Sequence, residues 1–592
     1  MTRRARIIGW VVVVLALSTS AILPTYYASL VSYAIVLALL GIAINIAVGY
    51  LGLISFGHAA FFGLGAYSAG LLAVKAGVSF WLAALAAIVP GVLLGVLVGF
   101  ASLRVRGPYF AIATLVVAEI MRLIAQSWTS LTRGPLGLIV PRPRIEFFES
   151  HGFGYMQYYL AICILALALV LELLRRLLSS PYGRAWFALR DQQGLAESVG
   201  IPPLKYRVAA ISLSGGISAL AGALLVPRIL VLSPDLFSVS FSATGLLVTI
   251  LGGKGTLLGP LFGGLVFSVA PELLRAIDEY RIAVFAALLL IMVRIWPEGL
   301  ALLLPRAKRA VDVEAKILPT RHVGATSDQL VVKNLFKQYG GLRAVDDLTF
   351  SMRPGSILGL IGPNGAGKTT CLSLVSGFIS PTTGTISLDG QQLSGLSPSK
   401  IAALGVVRTF QHTTLCPALS AFDNVLIGTH LIMKESPLHI ILNSKMFKQR
   451  ETTRRAWARA CIDTVGLGDR CNVYAGDLAY GEQRMLSIAI ALAAQPRFLL
   501  LDEPGAGLNG AEAVALASLL RRLRDQNLAI SIIDHNVRMM MGICDELIVL
   551  HHGKLLAAGK PAVVRNDANV IRAYLGEKKA PTTSEESVHA QA

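Results

Sequence analysis

Gly362, Pro363, Asn364, Gly365, Ala366, Gly367, Lys368 and Thr369 fit the pattern G-x-x-x-x-G-K-[ST], and Thr370 continues into a helix-compatible segment. Small residues let successive backbone N–H groups curl around a polyphosphate. Lys368 can then reach the β and γ phosphates of a nucleotide such as ATP, and the Thr369 hydroxyl can ligate Mg2+. Further along, Phe498-Leu499-Leu500-Leu501 runs straight into Asp502-Glu503. Asp502 suits a Mg2+ held through water, and Glu503 suits a base that orients an attacking water. His535, after the apolar run Ala529-Ile530-Ser531-Ile532-Ile533-Asp534, can sense a γ phosphate, and Gln411, after Val407-Arg408-Thr409-Phe410, can join the metal shell to a docking surface. Singly, each of these residues reads as ordinary structure; their order along the chain gives them meaning.

Such residues need particular elements to hold them. The phosphate loop requires a strand before it, supplied by Ser356–Ile361, and a helix after it, supplied by Thr370–Val375. The run ending in Asp502 has the pattern of a buried strand. Leu478-Ala479-Tyr480-Gly481-Glu482-Gln483 stands at the start of a helical pattern, Arg484–Ala494, whose first backbone N–H groups can meet a phosphate.

What precedes these residues is of another kind. The chain has 592 residues, too many for one ordinary domain, and is 54% hydrophobic with a mean hydropathy of +0.63. From Ile7 to about Leu304 long apolar runs recur with few charges; from about Val311 onward charged and apolar residues mix as in a soluble domain. The formal charge of +18 gathers in large part beside the apolar runs, where positive-inside bias accounts for it, so no nucleic-acid partner is expected. The six cysteines are spaced for neither a metal nor a redox pair and read as reduced thiols. Arg3, Arg4 and Arg6 before the first apolar run resemble a secretory signal, but further apolar runs follow at once, and a first membrane helix with a cytoplasmic basic start is the expected reading.

Candidate spans lie near 7–24, 28–48, 59–74, 79–102, 109–127, 155–177, 207–230, 239–252, 257–276 and 281–297. With both the basic start and the nucleotide half on the cytosolic side, the number of crossings should be even. Arg104, Arg106, Arg175, Arg176, Arg184, Arg190, Lys205 and Arg207 mark inside positions. Ten crossings satisfy these constraints; eight would result if Gly252-Gly253-Lys254-Gly255 interrupts a re-entrant hairpin. Gly57, Gly63, Gly65, Gly70, Gly215, Gly216 and Gly222 would let helices approach closely. Glu119 and Arg122 share a helix face, and a lone charge there costs roughly 2.5–3.5 kcal/mol on insertion scales. They are expected to be a structural pair near a helix end, with a place on a translocation path as the alternative. His58 likewise reads first as a polar side chain bonded to backbone carbonyls.

Gly49–Tyr67, which contains Ser55-Phe56-Gly57-His58, together with Arg106–Leu115 (Arg106-Gly107-Pro108-Tyr109-Phe110 at its start) and Gly252–Pro260, resembles the permease subunit of branched-chain amino-acid ABC importers. One departure is Thr132-Arg133-Gly134-Pro135-Leu136-Gly137-Leu138, where that family usually has a second glycine after the threonine. The resemblance makes Ser179–Ile201 the loop that docks on the ATPase. In the second half, Tyr339 stands where ABC ATPases stack an aromatic ring on adenine. Tyr480, Gly481, Glu482 and Gln483 stand in the ABC signature, which departs from Leu-Ser-Gly-Gly-Gln at Ala479, Tyr480 and Glu482. A tyrosine before the glycine, and Asn509 in place of aspartate, are usual in the branched-chain amino-acid ATPase, whose C-terminal end Ala562–Leu575 also resembles.

The expected fold is therefore an α-helical polytopic membrane domain of about 8–10 spans followed by an α/β P-loop ABC ATPase domain. Its boundaries are 1–304 for the permease, 305–328 for a linker whose basic head meets membrane lipid, 329–576 for the ATPase and 577–592 for a disordered tail. The resemblance implies ATP and Mg2+ as ligands and a small-molecule substrate. It also implies a second permease subunit, a second ABC ATPase subunit and a periplasmic substrate-binding protein as partners, in a bacterial inner membrane with the ATPase domain cytoplasmic. An ABC exporter or lipid flippase is the alternative, but such proteins usually carry six long spans with extended cytoplasmic helices.

Overall fold

The computed structural model describes residues 3–102, 105, 107–275, 280–303, 313–317, 329–432 and 436–575. The expectations for Arg104, Arg106, the basic head of the 305–328 linker (Arg306, Lys308 and Arg309) and the tail from Glu577 fall outside these residues. Packing divides the chain into two units: Met1–Gln193 with Pro203–Arg309 and Glu435–Phe447, and Gly194–Pro202 with Ala310–Lys434 and Lys448–Ala592.

The first unit is helical because its long apolar segments satisfy their backbone polar groups internally. In order it holds α1 (Arg3–Ser20), α2 (Thr25–Asn45), α3 (His58–Lys75), α4 (Phe80–Ala86), α5 (Ile88–Ala101), α6 (Pro108–Ser127), α7 (Thr129–Thr132), α8 (Glu146–Ser150), α9 (Tyr155–Leu178) and α10 (Pro181–Asp191). After α11 (Gln193–Ser198) come α12 (Pro203–Ile229), α13 (Val239–Gly252), α14 (Gly259–Leu273) and α15 (Arg281–Ile295). A small antiparallel pair, β1 (Leu138–Ile139) and β2 (Val231–Leu232), joins two connections. Each of the ten apolar runs falls on a helix, the fourth on the α4–α5 pair. Among the described residues four stretches, Thr25–Tyr50, Phe80–Ala101, Pro108–Ser127 and Pro203–Ile229, are long and apolar enough to cross a membrane by length and composition, whereas α13, α14 and the apolar parts Gly9–Ser20 of α1 and Ala283–Ile295 of α15 are shorter.

The expected close approaches are present: a Cβ on Gly65 would collide with the Ala219 carbonyl, and one on Gly222 with the Phe62 carbonyl, so α3 and α12 touch backbone to backbone. The end of α2 is irregular, with Ile46–Tyr50 wound as π-helix. Asn45 uses this break. Its Nδ2 donates to Thr256 O at 2.8 Å and its Oδ1 accepts from Gly255 N at 2.7 Å, pinning the glycine turn between α13 and α14. Arg190 Nη1 donates to Gly49 O at 2.8 Å, which satisfies a carbonyl of the same break.

The second unit contains two sheets. Antiparallel β3 (Leu330–Tyr339), β4 (Leu342–Met352), β6 (Thr383–Leu388) and β7 (Gln391–Gln392) pair in the order β4-β3-β6-β7. The larger sheet is built from β5 (Ile357–Ile361), β8 (Val406–Arg408), β9 (Phe498–Asp502), β10 (Ala529–Ile533), β11 (Glu546–His551) and β12 (Lys554–Gly559), in the order β12-β11-β5-β10-β9-β8. All of its pairs are parallel except β11–β12. Strands β5, β9 and β10 are buried throughout, as unbroken apolar runs covered on both faces must be. Leu330, Val332, Leu360, Leu372, Leu500 and Ile548 share one core between the two sheets. Further helices are α16 (Lys368–Val375), α17 (Pro398–Ala403), α18 (Ala421–Gly428), α19 (Pro437–Ile441, which packs with the first unit), α20 (Lys445–Thr464), α21 (Tyr480–Ala493), α22 (Gly510–Asp525), α23 (Val537–Ile543), α24 (Pro561–Arg565) and α25 (Ala568–Leu575). Gly194 and Gly200, from the expected docking loop, pack within this unit against the Phe410 ring and the Leu431 side chain.

Candidate functional site

The strand order places the chemistry at one edge. The phosphate loop follows β5, Asp502 and Glu503 close β9, His535 follows β10 and Arg408 closes β8, so four neighbouring parallel strands deliver these residues at their carboxyl ends. The loop itself needs glycine. Gly365 and Gly367 have φ of +80° and +99°, and a Cβ on Gly367 would collide with the Ala344 carbonyl. Helix α16 begins at Lys368, so its first N–H groups open onto the loop. Lys368 Nζ donates to the carbonyls of Gly362 at 2.8 Å and Pro363 at 3.0 Å. Burial pushes its ammonium below the ordinary lysine value, opposed by the nearby charges of Glu503 and Asp502. Ala344 lies on β4, so the β3–β4 hairpin, at whose tip Tyr339 is exposed, backs onto the loop.

Glu503 is the centre of the constellation. Its Oε2 accepts from Gln411 Nε2 at 2.9 Å, and its Oε1 lies 2.9 Å from His535 Nε2. It has φ +51°, left-handed for a residue with a Cβ, and is held there by its own N–H donating to Ile533 O at 2.8 Å. Sequence order alone brought Gln411, Glu503 and His535 together as candidates; the structure makes them contacts.

Asp502 is 1% exposed, and its Oδ2 accepts from Arg408 Nη2 at 2.9 Å. Arg408 Nη1 in turn donates to Ser373 Oγ at 2.8 Å. Asp502 Oδ1 is buried with no protein partner among the described residues. A buried carboxylate oxygen in that state fits a divalent cation or its water, and Thr369, exposed in the first turn of α16, offers a hydroxyl oxygen of the same kind. Arg408 was not among the sequence candidates. Its signal is an arginine closing a three-residue strand that is buried throughout. Asp534 was missed as well: its carboxylate accepts from Gly505 N and Asn536 N, both at 2.8 Å, and so fixes the turn after Glu503.

The signature residues have separate partners. Tyr480 opens α21, and its OH accepts from Arg484 Nη2 at 2.6 Å. Glu482 reaches back to Ala479 N at 3.0 Å and pairs with Arg470 at 3.1 Å, and Gln483 Nε2 donates to Leu478 O at 2.9 Å. Glu482 and Gln483 thus bind their own helix start, and a Cβ on Gly481 would collide with the Glu512 carboxylate. These residues therefore form the start of a helix, and the Tyr480 ring packs on Gly507 in the loop that follows Glu503.

In the first unit His58 is 2% exposed, with Nε2 2.8 Å from Ser214 Oγ, and Ser214 Oγ donates to Ala43 O at 2.5 Å. The hydroxyl's one proton is committed to that carbonyl, so His58 donates from Nε2. The partner is a serine where a backbone carbonyl was expected. Glu119 and Arg122 form the expected ion pair at 2.6 Å, but at the twelfth and fifteenth of the 20 residues of α6, inside the helix where a place near its end was expected. All six cysteines are free and buried.

Comparison with known proteins agrees with both units. Residues 26–293 match the family described as branched-chain amino acid transport system / permease component, residues 345–506 the ABC transporter family, and residues 554–580 the branched-chain amino acid ATP-binding cassette transporter family. The high-affinity branched-chain amino acid transport ATP-binding protein LivG of Escherichia coli strain K12 is 42% identical over 249 residues, which is 42% of this chain and 98% of that protein. BraF of Pseudomonas aeruginosa, described in the same words, is 39% identical over 249 residues, again 42% of this chain and 98% of that protein. The lipopolysaccharide export system ATP-binding protein LptB of Escherichia coli strain K12 is 34% identical over 248 residues, 42% of this chain and 97% of that protein. A solved ATP-binding cassette of an ABC transporter, in its ADP conformation, aligns with a TM-score of 0.38 and 27% identity over 43% of this chain and all of that one. The chain belongs to the branched-chain amino-acid ABC transporter family, and joins in one polypeptide the permease part and the ATP-hydrolysing part coupled to it.

Proposed function

We propose that this chain serves in the import of branched-chain amino acids or related small solutes across a bacterial inner membrane, with its ATPase domain cytoplasmic. The domain boundaries proposed are 1–304, 305–328, 329–576 and 577–592. A second permease subunit, a second ABC ATPase subunit and a periplasmic substrate-binding protein complete the assembly. Relatives named for branched-chain amino acid transport, and the permease family matched by the first half, support this reading. The relative named for lipopolysaccharide export matches the ATPase part alone and leaves import favoured.

In the ATPase the proposed roles follow from geometry. Gly362–Thr370 cradle the phosphates, Lys368 turns from its own loop carbonyls to the β and γ oxygens, and Tyr339 stacks on the adenine. Thr369, Asp502 and Gln411 would hold Mg2+, which neutralises charge on the phosphate oxygens. Glu503 orients the attacking water and accepts its proton, Gln411 and His535 fix the two carboxylate oxygens, and His535 also faces the γ phosphate. Tyr480, Gly481, Glu482 and Gln483 serve the phosphate loop of the second ATPase. The observation that carries the reading is the carboxylate of Glu503 held between Gln411 and His535 at the end of a buried strand.

The test is reconstitution of the complete set in proteoliposomes. L-leucine with the binding protein should raise ATP hydrolysis and drive leucine uptake, while the isolated chain binds ATP but hydrolyses it slowly. Efficient ligand-stimulated hydrolysis by the isolated chain would overturn the heteromeric assembly, and uptake blind to the binding protein would overturn import.

A further inference from the structure

Helix α6 leaves most of its apolar surface uncovered within its own unit. Ile112, Val116, Ile120 and Leu123 are 60%, 47%, 49% and 49% exposed. Glu119 lies on the same stripe, between Val116 and Leu123 at helical spacing, with Arg122 beside it. Arg122 Nε donates to Glu119 Oε2 at 2.9 Å and Nη2 to Oε1 at 2.6 Å, and the two side chains stay 30% and 41% exposed. At 1.5 Å per residue Glu119 sits about 17 Å into a helix about 30 Å long, near the middle of a bilayer. Among the described residues one further carboxylate acts on this pair: Asp235, in the turn Pro234–Phe237 that packs against α6, attracts the Arg122 guanidinium, whereas Glu172 and Glu272 lie in the last two turns of α9 and α14. Ionised groups at bilayer depth turn to a protein interior or to water, so this face is not one that rests in hydrocarbon.

We propose that the Glu119–Arg122 pair lines a wet passage between α6 and the second permease subunit, and that there it receives the charged head of a zwitterionic α-amino acid. This rests on the import reading above. The pair and the substrate carry the same two charges. The substrate carboxylate can take the Arg122 guanidinium while its ammonium takes Glu119, so the exchange leaves the net charge unchanged and no ion bare. A solute with a single charge satisfies one member of the pair and strands the other. The apolar stripe of Ile112, Val116 and Leu123 offers an aliphatic side chain its surface.

The test uses the complete transporter in proteoliposomes, after the wild type has been shown to take up L-leucine with ATP, so that failure of the import reading is seen first and separately. Val116→Cys should react with a charged, water-soluble thiol reagent at least tenfold faster than Leu93→Cys, a control on the 63%-exposed, charge-free face of α5. L-leucine should slow that reaction, and 4-methylpentanoate, which has the same side chain and no ammonium, should not. Glu119→Gln and Arg122→Gln should each lower leucine uptake at least tenfold, with assembly of the complete transporter and its ATP binding unchanged. Reaction of Val116→Cys as slow as the control, which places the face in lipid or a sealed interface, overturns the proposal. So does equal protection by 4-methylpentanoate, or uptake within twofold of wild type in both charge variants.

Discussion

Arg408 and Asp502 form a buried ion pair at 2.9 Å, with side chains 4% and 1% exposed, and it leaves one Asp502 oxygen without a protein partner among the described residues. The pair aims a carboxylate at the nucleotide site from the end of one strand by means of an arginine on the next. Replacing Arg408 by Met should strand the buried Asp502 charge and destabilise the second unit by about 3–5 kcal/mol, read from denaturant unfolding of the full chain in detergent. A double substitution, Arg408→Met with Asp502→Asn, should recover most of that stability without restoring hydrolysis. Stability unchanged in the single variant would show the pair to be idle.

Glu503→Gln should keep ATP binding and lower hydrolysis in the complete transporter by about 10²–10⁴-fold, the usual contribution of a positioned base. His535→Ala and Gln411→Ala, which release the two carboxylate oxygens, should lower it less. Rapid turnover by Glu503→Gln would remove Glu503 from its role. Chelation of divalent cations should stop hydrolysis in the wild type, and added Mg2+ should restore it.

Asn45→Ala should leave Gly255 N and Thr256 O unpaired where α2 breaks, at a cost of about 1–3 kcal/mol. Asn45→Asp keeps the acceptor but turns a buried carboxylate oxygen on the Thr256 carbonyl, so it should melt no higher than Asn45→Ala. Thermal unfolding in detergent orders the three proteins. Equal melting would mean that the turn holds itself.

Burial pushes the Cys371 and Cys544 thiols up to about 12. At pH 8 the reactive thiolate is then about one part in ten thousand. Alkylation of the folded protein should therefore be slow at all six sites and rise steeply only on unfolding. Rapid labelling of Cys371 or Cys544 in the native protein would contradict their burial.

The chain itself determined a good deal. The ten apolar runs became ten helical segments because hydrocarbon-soluble stretches of that length have one economical way to pair their backbone. The phosphate loop, the Asp502–Glu503 strand end and the signature were legible because each depends on local residue types at fixed spacing. Tertiary structure decided the rest. Arg408 and Asp502, 94 positions apart, meet only because β8 and β9 are neighbours in a sheet, and no local pattern encodes strand order. Asn45 and Gly255, 210 positions apart, meet because two helix interruptions fall at one level, where each open backbone group finds a partner in the other. The exposure of Glu119 and Arg122 is likewise a property of what α6 packs against: their spacing foretold the ion pair, and only the packed bundle shows which way it faces.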